Sequence, residues 1–225
     1  MSKIELHERS VAGLHSFLLQ TLPYIKKSTP ILDIGCGTGA WLERLSNNKF
    51  THLWGIDQNI EQFGATQATY RKVDLNSEDW NLHKNLHKRF GLITSIEVIE
   101  HLENPGNFFH HVAKYLHDDG YFLLTTPNIH SLECRLKFLV TEKLASFDDK
   151  GDPTHIYPVH LTCLQRILQK HSLKIVKQWG YPYSGSLVYR RYTQIISSVL
   201  KSFLPNLYQG DTLCLLIQKR NFDLP

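Results

Sequence analysis

The sequence predicts an α/β fold built around a mostly parallel β-sheet. Short apolar runs at 30–34, 52–56, 92–96 and 121–125 alternate with stretches of helical periodicity, a spacing typical of βα units. The 225 residues suit one core and are too few for two α/β domains of the usual size. We therefore expect a single domain over residues 1–225.

Sequence patterns typical of helices lie before and between these predicted strands. Apolar residues recur at helical spacing from Val11 to Leu22, which predicts an amphipathic helix that ends near Pro23. Asn104 and Pro105 have the pattern of an N-cap and a first helical residue, and Gly120 is the expected end of that helix. A further helix is predicted over 161–171, followed by strands over 173–178 and 212–218.

Composition limits the classes of protein that the chain can belong to. The net charge of +4 is small for a nucleic-acid-binding surface, and no apolar run approaches the roughly 18 residues that suggest a membrane span. The cysteines are scattered, without a CxxC pair, which predicts reduced thiols and a cytoplasmic location. They are Cys36, Cys134, Cys163 and Cys214.

Two segments, 127–158 and 181–209, do not follow the alternation of strands and helices. Long insertions in an α/β domain are commonly lids or substrate loops. We expect Phe147, Tyr157, Tyr183 and Tyr189 in these segments to contact the substrate. His110, His111, His117 and His171 have no partner at a useful spacing and are expected at the surface.

A glycine-rich turn follows the first predicted strand, in the segment ILDIGCGTG over 31–39. Glycines there allow the backbone to approach a ligand closely. Because Gly35, Gly37 and Ala40 also fit the dinucleotide pattern GxGxxA, the loop alone is compatible with a nicotinamide oxidoreductase. Asp33, directly before the loop, favours a cationic ligand group over a pyrophosphate.

The segment DIGCGTG resembles the first motif, DxGxGxG, of class I S-adenosylmethionine-dependent methyltransferases, and the resemblance extends through most of the chain. It implies a Rossmann-like methyltransferase fold, with a seven-stranded mostly parallel sheet, helices on both faces and an antiparallel last strand. It also implies S-adenosyl-L-methionine as the methyl donor.

The resemblance assigns cofactor contacts to the ends of several strands. Asp57 is the acidic ribose contact, the Asp74 side chain holds the adenine amino group, and the Leu75 backbone meets the ring. The full set of implied contacts is Asp33, Gly35, Cys36, Gly37, Gly39, Asp57, Gln58, Asp74, Leu75, Ser95 and Ile96.

The segment EVIEHL places Glu97, Glu100 and His101 at positions i, i+3 and i+4, which share one face if the turn is helical. It resembles ubiquinone-pathway O-methyltransferases and small-RNA 2′-O-methyltransferases, which hold a divalent metal with this motif. His155 would complete a site for Mg2+ or Mn2+. Methyltransferases of glycan and small-molecule pathways carry nearly the same segments without a metal, and there His101 would be a general base beside Glu100, or a structural residue.

The base or metal at this segment favours transfer to oxygen over nitrogen, because an oxygen nucleophile needs its proton removed. The acceptor that the resemblance implies is a sugar or another hydroxylated small molecule, since the whole chain most resembles stand-alone methyltransferases of glycan and small-molecule pathways. An RNA 2′-O-methyltransferase is less favoured, since the charge is low and no separate RNA-binding module is evident. A nicotinamide oxidoreductase and a non-catalytic S-adenosylmethionine-binding protein remain as alternatives.

Overall fold

Seven strands form one sheet at the centre of the fold. The structure, a computed structural model, describes residues 6–59, 63–82, 86–87, 89–182 and 210–220. The strands are β1 (Ile31–Ile34), β2 (Leu53–Asp57), β3 (Ala68–Lys72), β4 (Phe90–Ile96), β5 (Leu116–Pro127), β6 (Leu173–Tyr181) and β7 (Thr212–Lys219). The helices are α1 (Leu14–Thr21), α2 (Ala40–Asn47), α3 (Pro105–Tyr115), α4 (Leu132–Thr141) and α5 (Leu161–Lys170).

The strand order is β3-β2-β1-β4-β5-β7-β6. Strands β1 to β5 pair in parallel, whereas β7 runs antiparallel to both β5 and β6. Strand β1 is buried along its whole length, as expected for a parallel strand covered on both faces. The predicted sheet is confirmed, including its antiparallel last strand.

The order of the strands fixes where a ligand can bind. Strands β1 and β4 are neighbours, with Asp33 opposite Thr94, although β2 and β3 lie between them in the chain. The chain therefore reverses its direction across the sheet between these two strands. In open α/β sheets, such a switch point leaves a crevice at the carboxyl ends of the strands.

Helices cover both faces of the sheet. Leu14 of α1 and Trp41 of α2 lie in one buried cluster, and Phe108 of α3 and Leu164 of α5 lie in the other. Asn104 caps α3 as predicted, because its side chain accepts a hydrogen bond from the backbone of Asn107. Among the described residues, no helix has the length and apolar character needed to cross a bilayer.

Some details differ from the sequence predictions. Helix α3 ends at Tyr115 and the chain continues directly as β5, so Gly120 lies within a strand and does not end the helix. His111 is buried rather than exposed, because its ring stacks on Trp80 with 4.4 Å between the centroids. The segment 127–158 contains helix α4, and most of 181–209, with Tyr183 and Tyr189, lies outside the described residues.

Candidate active site

A cleft of about 810 Å³ opens at the carboxyl ends of β1, β2 and β4. Most of the predicted cofactor contacts line it, namely Asp33, Gly35, Cys36, Gly37, Asp57, Gln58, Asp74, Leu75 and Ile96. Gly39 and Ser95 do not. Ser95 is fully buried within β4, and a side chain at Gly39 would meet Ala65 and Phe63.

The glycine turn leaves open space on the side of the cleft. A Cβ atom at Gly37 would have no neighbour within 4 Å, although Gly37 has a φ of +51°. Gly35 differs, because a Cβ there would overlap the side chain of Val98. Gly35 is therefore required by protein packing, whereas the space beside Gly37 is available to a ligand.

Asp57 joins the end of β2 to this turn. Its Oδ2 atom accepts a hydrogen bond from the backbone N–H of Gly37 at 2.9 Å, and its Oδ1 atom accepts one from Asn59. The two hydrogen bonds fix the carboxylate at the edge of the cleft, where it can accept further hydrogen bonds from a pair of hydroxyl groups.

Asp33 is nearly buried beneath the glycine turn. Its Oδ1 atom accepts a hydrogen bond from the Thr94 hydroxyl at 2.7 Å. Burial, opposed by the hydrogen bond from Thr94 and assisted by the nearby charge of Asp57, raises the pKa of the Asp33 carboxyl to about 7. A cation that binds in the cleft would therefore stabilise the ionised form.

Asp74 and Leu75 form the far end of the cleft. The Asp74 side chain accepts a hydrogen bond from the backbone of Asn76, and Leu75 is buried while its carbonyl accepts a hydrogen bond from the Trp80 indole.

Burial and two nearby carboxylates raise the pKa of the Cys36 thiol, so this cysteine stays protonated. We expect Cys36 to have a packing role beside the loop.

The EVIEHL segment is not the regular helical turn that its spacing suggests. Glu97 has a left-handed backbone with a φ of +54°, and a single 3-10 turn follows over Ile99–His101. Two threonines of β5 hold the carboxylates, because Thr125 donates to Glu97 at 2.9 Å and Thr126 donates to Glu100 at 3.0 Å. The neighbouring strand, rather than helical periodicity, therefore positions these side chains.

Burial makes both carboxylates resistant to ionisation. It raises the pKa of Glu97 to about 7, with Thr125 opposing the change. Burial also raises the pKa of Glu100 well above its usual range, and the charge of Glu97 adds to this effect. The second oxygen of Glu100, Oε1, is buried and has no hydrogen-bond partner among the described residues. Glu100 is therefore a group whose ionised form would need a nearby cation.

His101 is oriented by the segment 127–158. Its Nδ1 atom lies 3.2 Å from the carbonyl oxygen and 2.9 Å from the hydroxyl oxygen of Thr154. That hydroxyl donates its own proton to Asp152 at 2.6 Å, so both Thr154 oxygens act as acceptors and Nδ1 carries the hydrogen. The Nε2 atom of His101 keeps a free lone pair. Burial and the neighbouring His155 lower the pKa of His101.

His155 is held in the same way, since its Nδ1 atom lies 2.9 Å from the carbonyl oxygen of Ser146 and must be the donor. The structure brings Glu100, His101 and His155 together, with one possible ligand atom of each within 4.8 Å of the others. Glu97 lies outside this group of three, although it lines the same cleft.

Comparison with known proteins identifies the family. The model of the methyltransferase-domain family matches residues 6–178. This chain belongs to the methyltransferase-domain family. Together with the sheet order, the glycine turn and the three aspartates, the match makes it a class I S-adenosylmethionine-dependent methyltransferase, as predicted from the first motif.

Two relatives of this chain are named methyltransferases. The methyltransferase is 27% identical over 172 residues to a ubiquinone biosynthesis O-methyltransferase of Hydrogenovibrio crunogenus, which covers 68% of this chain and 69% of the relative. It is 29% identical over 113 residues to N-methyltransferase 4 of Papaver somniferum, which covers 47% of this chain and 32% of that protein.

Solved structures show the same fold at low identity. A SAM-dependent methyltransferase from Archaeoglobus fulgidus matches with a TM-score of 0.63 and 21% identity, over 92% of this chain and 93% of the other. The phosphoethanolamine N-methyltransferase 2 of Haemonchus contortus, solved with S-adenosyl-L-methionine, matches with a TM-score of 0.61 and 15% identity, over 93% and 53%.

The N-terminal segment of this methyltransferase also contributes to the cleft, which the sequence patterns did not predict. Residues 7–11 line it, and the backbone of His7 exchanges two hydrogen bonds with the Thr38 hydroxyl in the glycine turn. Glu8 forms an ion pair with Arg44 of α2. No sequence pattern marks this segment as part of a site, because its contacts are made by backbone atoms and by a partner 36 residues away.

Proposed function

We propose that this methyltransferase transfers a methyl group to a hydroxyl oxygen of a small molecule, such as a sugar or another hydroxylated metabolite. The observation that carries the proposal is the orientation of His101. Its Nδ1–H is held by Thr154, and its Nε2 lone pair is free on a residue that lines the cleft. A neutral imidazole with a free nitrogen is suited to accept the proton of an attacking hydroxyl group.

Three carboxylates would hold the methyl donor. Asp33 would meet its cationic amino group beneath the glycine turn, and Asp57 would accept hydrogen bonds from the ribose hydroxyls. Asp74 would accept one from the adenine amino group, and the backbone of Leu75 would meet the adenine ring. The open space beside Gly37 supports this placement, because it is the point where the backbone allows the closest approach of a ligand.

The protein's part in the reaction is to align, to exclude water and to remove one proton. Bound S-adenosylmethionine supplies a methyl group on a positively charged sulfonium sulfur. As the acceptor oxygen bonds to the methyl carbon, the C–S bond breaks and its electron pair stays on the sulfur. His101 would take the hydroxyl proton at Nε2. Asp152 would stabilise the resulting imidazolium through Thr154, since its carboxylate accepts the Thr154 hydrogen bond.

The name of the bacterial relative supports transfer to oxygen, because it is an O-methyltransferase of ubiquinone biosynthesis. The lining of the cleft supports an acceptor without phosphates. Among the described lining residues, Arg9 is the sole lysine or arginine, whereas Glu97, Asp152 and Asp211 are acidic. This charge balance makes RNA the weaker candidate as acceptor.

Four free cysteines fit a reducing compartment such as the cytoplasm.

A divalent metal is a second candidate for activating the acceptor. Glu100, His101 and His155 would hold it, since each offers one ligand atom and the buried Oε1 atom of Glu100 has no hydrogen-bond partner in the part of the chain that the structure describes. Both imidazoles donate Nδ1–H to oxygen atoms of the protein, an arrangement common among metal-binding histidines. Two imidazoles and one carboxylate suit Mn2+ better than Mg2+. A bound metal would lower the pKa of a coordinated hydroxyl group.

A methyl-donor assay across hydroxylated acceptors tests the proposal. His101→Ala should lower turnover by about 10² to 10⁴ and leave the affinity for S-adenosylmethionine unchanged. His110→Ala, on the exposed side of α3, is the matched control. A chelator that abolishes turnover, with recovery in Mn2+, would favour the metal over the free base. Methylation of nitrogen acceptors alone, with full activity of His101→Ala, would refute transfer to oxygen by this site.

A further inference from the structure

Basic residues gather at the amino edge of the sheet, on the side of the molecule opposite the cleft. Lys26 and Lys27 lie in the loop before β1, Lys49 lies before β2, and Arg89 lies before β4. All four side chains are exposed. Because β2, β1 and β4 are consecutive in the sheet, their preceding loops are neighbours along one edge. We refer to these four residues with Tyr24 as the basic edge.

Contacts between the loops make the basic edge one continuous surface. The backbone of Thr51 donates to the carbonyl of Lys27 at 3.1 Å, and Gly91 donates to the carbonyl of Pro30 at 3.0 Å. The Lys27 ammonium lies 4.0 Å from the centroid of the Phe50 ring. The positive charges are therefore held on a fixed frame rather than on independent flexible loops.

The described loops that carry the basic edge contain no acidic residue, although Asp119, near the amino end of β5, is exposed on the same edge of the sheet. The described segments 22–30, 46–52 and 86–87, together with Arg89, contain no aspartate or glutamate. Farther along the same edge, beyond β4, Asp118 is paired with Lys219 at 2.9 Å. Because these described segments carry no acidic side chain, the four cations create a positive potential that attracts anions.

Tyr24 adds an aromatic group to the charges. It is 93% exposed at the loop before β1, directly after Pro23. An exposed tyrosine beside lysines is typical of residues that lie at the headgroup level of a bilayer, where the ring is apolar and its hydroxyl stays hydrated. Binding of single-stranded nucleic acid uses several aromatic rings for successive bases, whereas Tyr24 is the one exposed large ring on the described part of this edge.

We propose that the basic edge docks this methyltransferase on an anionic lipid surface. Lysines predominate over arginine in it, and point charges on flexible stems suit a fluid layer of phosphate headgroups better than the fixed geometry of a nucleic acid. Docking through this edge would leave the cleft facing the aqueous phase, since the amino and carboxyl ends of parallel strands lie on opposite sides of the sheet.

Co-sedimentation with lipid vesicles tests the docking. The protein should bind phosphatidylglycerol–phosphatidylcholine vesicles and not phosphatidylcholine alone, and binding should weaken as the salt concentration rises. Each cation near such a surface contributes roughly fivefold in affinity, so the combined variant Lys26→Glu, Lys27→Glu, Lys49→Glu, Arg89→Glu should lose at least about a hundredfold. Tyr24→Ala should weaken binding severalfold without any change in charge.

A matched variant separates this surface from general electrostatics. Arg166→Glu, Lys170→Glu, Lys174→Glu and Lys177→Glu make the same change in net charge on exposed residues of α5 and β6, and should keep most of the binding. Calorimetry with S-adenosylmethionine shows whether each variant is folded. Equal losses in both variants, equal binding to neutral vesicles, or binding to an RNA oligonucleotide in place of vesicles would overturn the proposal.

Discussion

The Asp57 carboxylate accepts a hydrogen bond from the backbone N–H of Gly37, with 2.9 Å between Oδ2 and the nitrogen. This contact links the ends of two parallel strands at the mouth of the cleft, where the glycine turn leaves open space. Gly37 leaves the space for a ligand and Asp57 supplies the acceptor oxygen atoms, so each residue can be tested by its own substitution.

Substitution of Gly37 should separate binding from folding. The Cβ atom of Gly37→Val would have no protein atom within 4 Å and Gly37 lines the cleft, so we expect the affinity for S-adenosylmethionine to fall at least about tenfold by calorimetry. The left-handed backbone should cost roughly 1 to 2 kcal/mol of stability. Gly35→Val would instead collide with Val98, so we expect a larger loss in melting temperature. Unchanged affinity in Gly37→Val would place the ligand elsewhere.

Removal of the Asp57 carboxylate should weaken cofactor binding through lost hydrogen bonds. Asp57→Ala should raise the dissociation constant for S-adenosylmethionine by about 10- to 100-fold, because each hydrogen bond to a charged group contributes roughly 1.5 to 3 kcal/mol. Asp119→Ala, an exposed residue at the opposite edge of the sheet, is the control. A loss shared by both variants would indicate a general effect of charge.

The pKa of Asp33 predicts a pH dependence. Because burial raises this pKa to about 7, the ionised fraction and the affinity for a cationic ligand should rise roughly tenfold between pH 6 and pH 8. The stability of the protein without ligand changes in the opposite direction. Its free energy of unfolding falls as the pH rises from the pKa of Asp33 in the unfolded chain through about 7. Asp33→Asn should abolish the dependence of affinity on pH and melt higher than the wild type at pH 8. A pH-independent affinity of the wild type would contradict this.

Thr154 should act as a positioning residue for His101. Thr154→Val removes the hydroxyl between His101 and Asp152 but keeps the backbone carbonyl, so we expect turnover to fall by about tenfold and its pH profile to shift. Thr154→Ser should restore both. Failure of serine to rescue, or a change confined to S-adenosylmethionine affinity, would argue that Thr154 only shapes the loop.

Buried His111 should make the protein sensitive to acid. Its pKa is lowered chiefly by burial, so the stability present above the unfolded pKa of about 6.5 is lost as the pH falls below it. His111→Phe keeps the stacking on Trp80 and should reduce the fall in melting temperature between pH 7.5 and pH 5.5. Part of the fall should remain, because the pKa values of His15 and His130 are also lowered.

The sequence by itself determined six of the seven strands, the helices α1, α3 and α5, and the glycine turn that lines the cleft. Each of these depends on local signals, such as the continuous apolar residues of β1, the Asn104 cap of α3, and the glycine turn that follows Asp33. Local patterns of this kind survive folding because they reflect backbone sterics and the two faces of the sheet.

The tertiary structure alone decided the surroundings of the EVIEHL segment over residues 97–102. The i, i+3, i+4 spacing suggested one helical face, but the left-handed backbone of Glu97 and the hydrogen bonds from Thr125 and Thr126 set the direction of the carboxylates. The approach of His155 to His101 depends on how the insertion folds back over the sheet. Contacts between distant segments are fixed by packing and by hydrogen-bond partners across strands, and a single sequence carries no periodic signal for them.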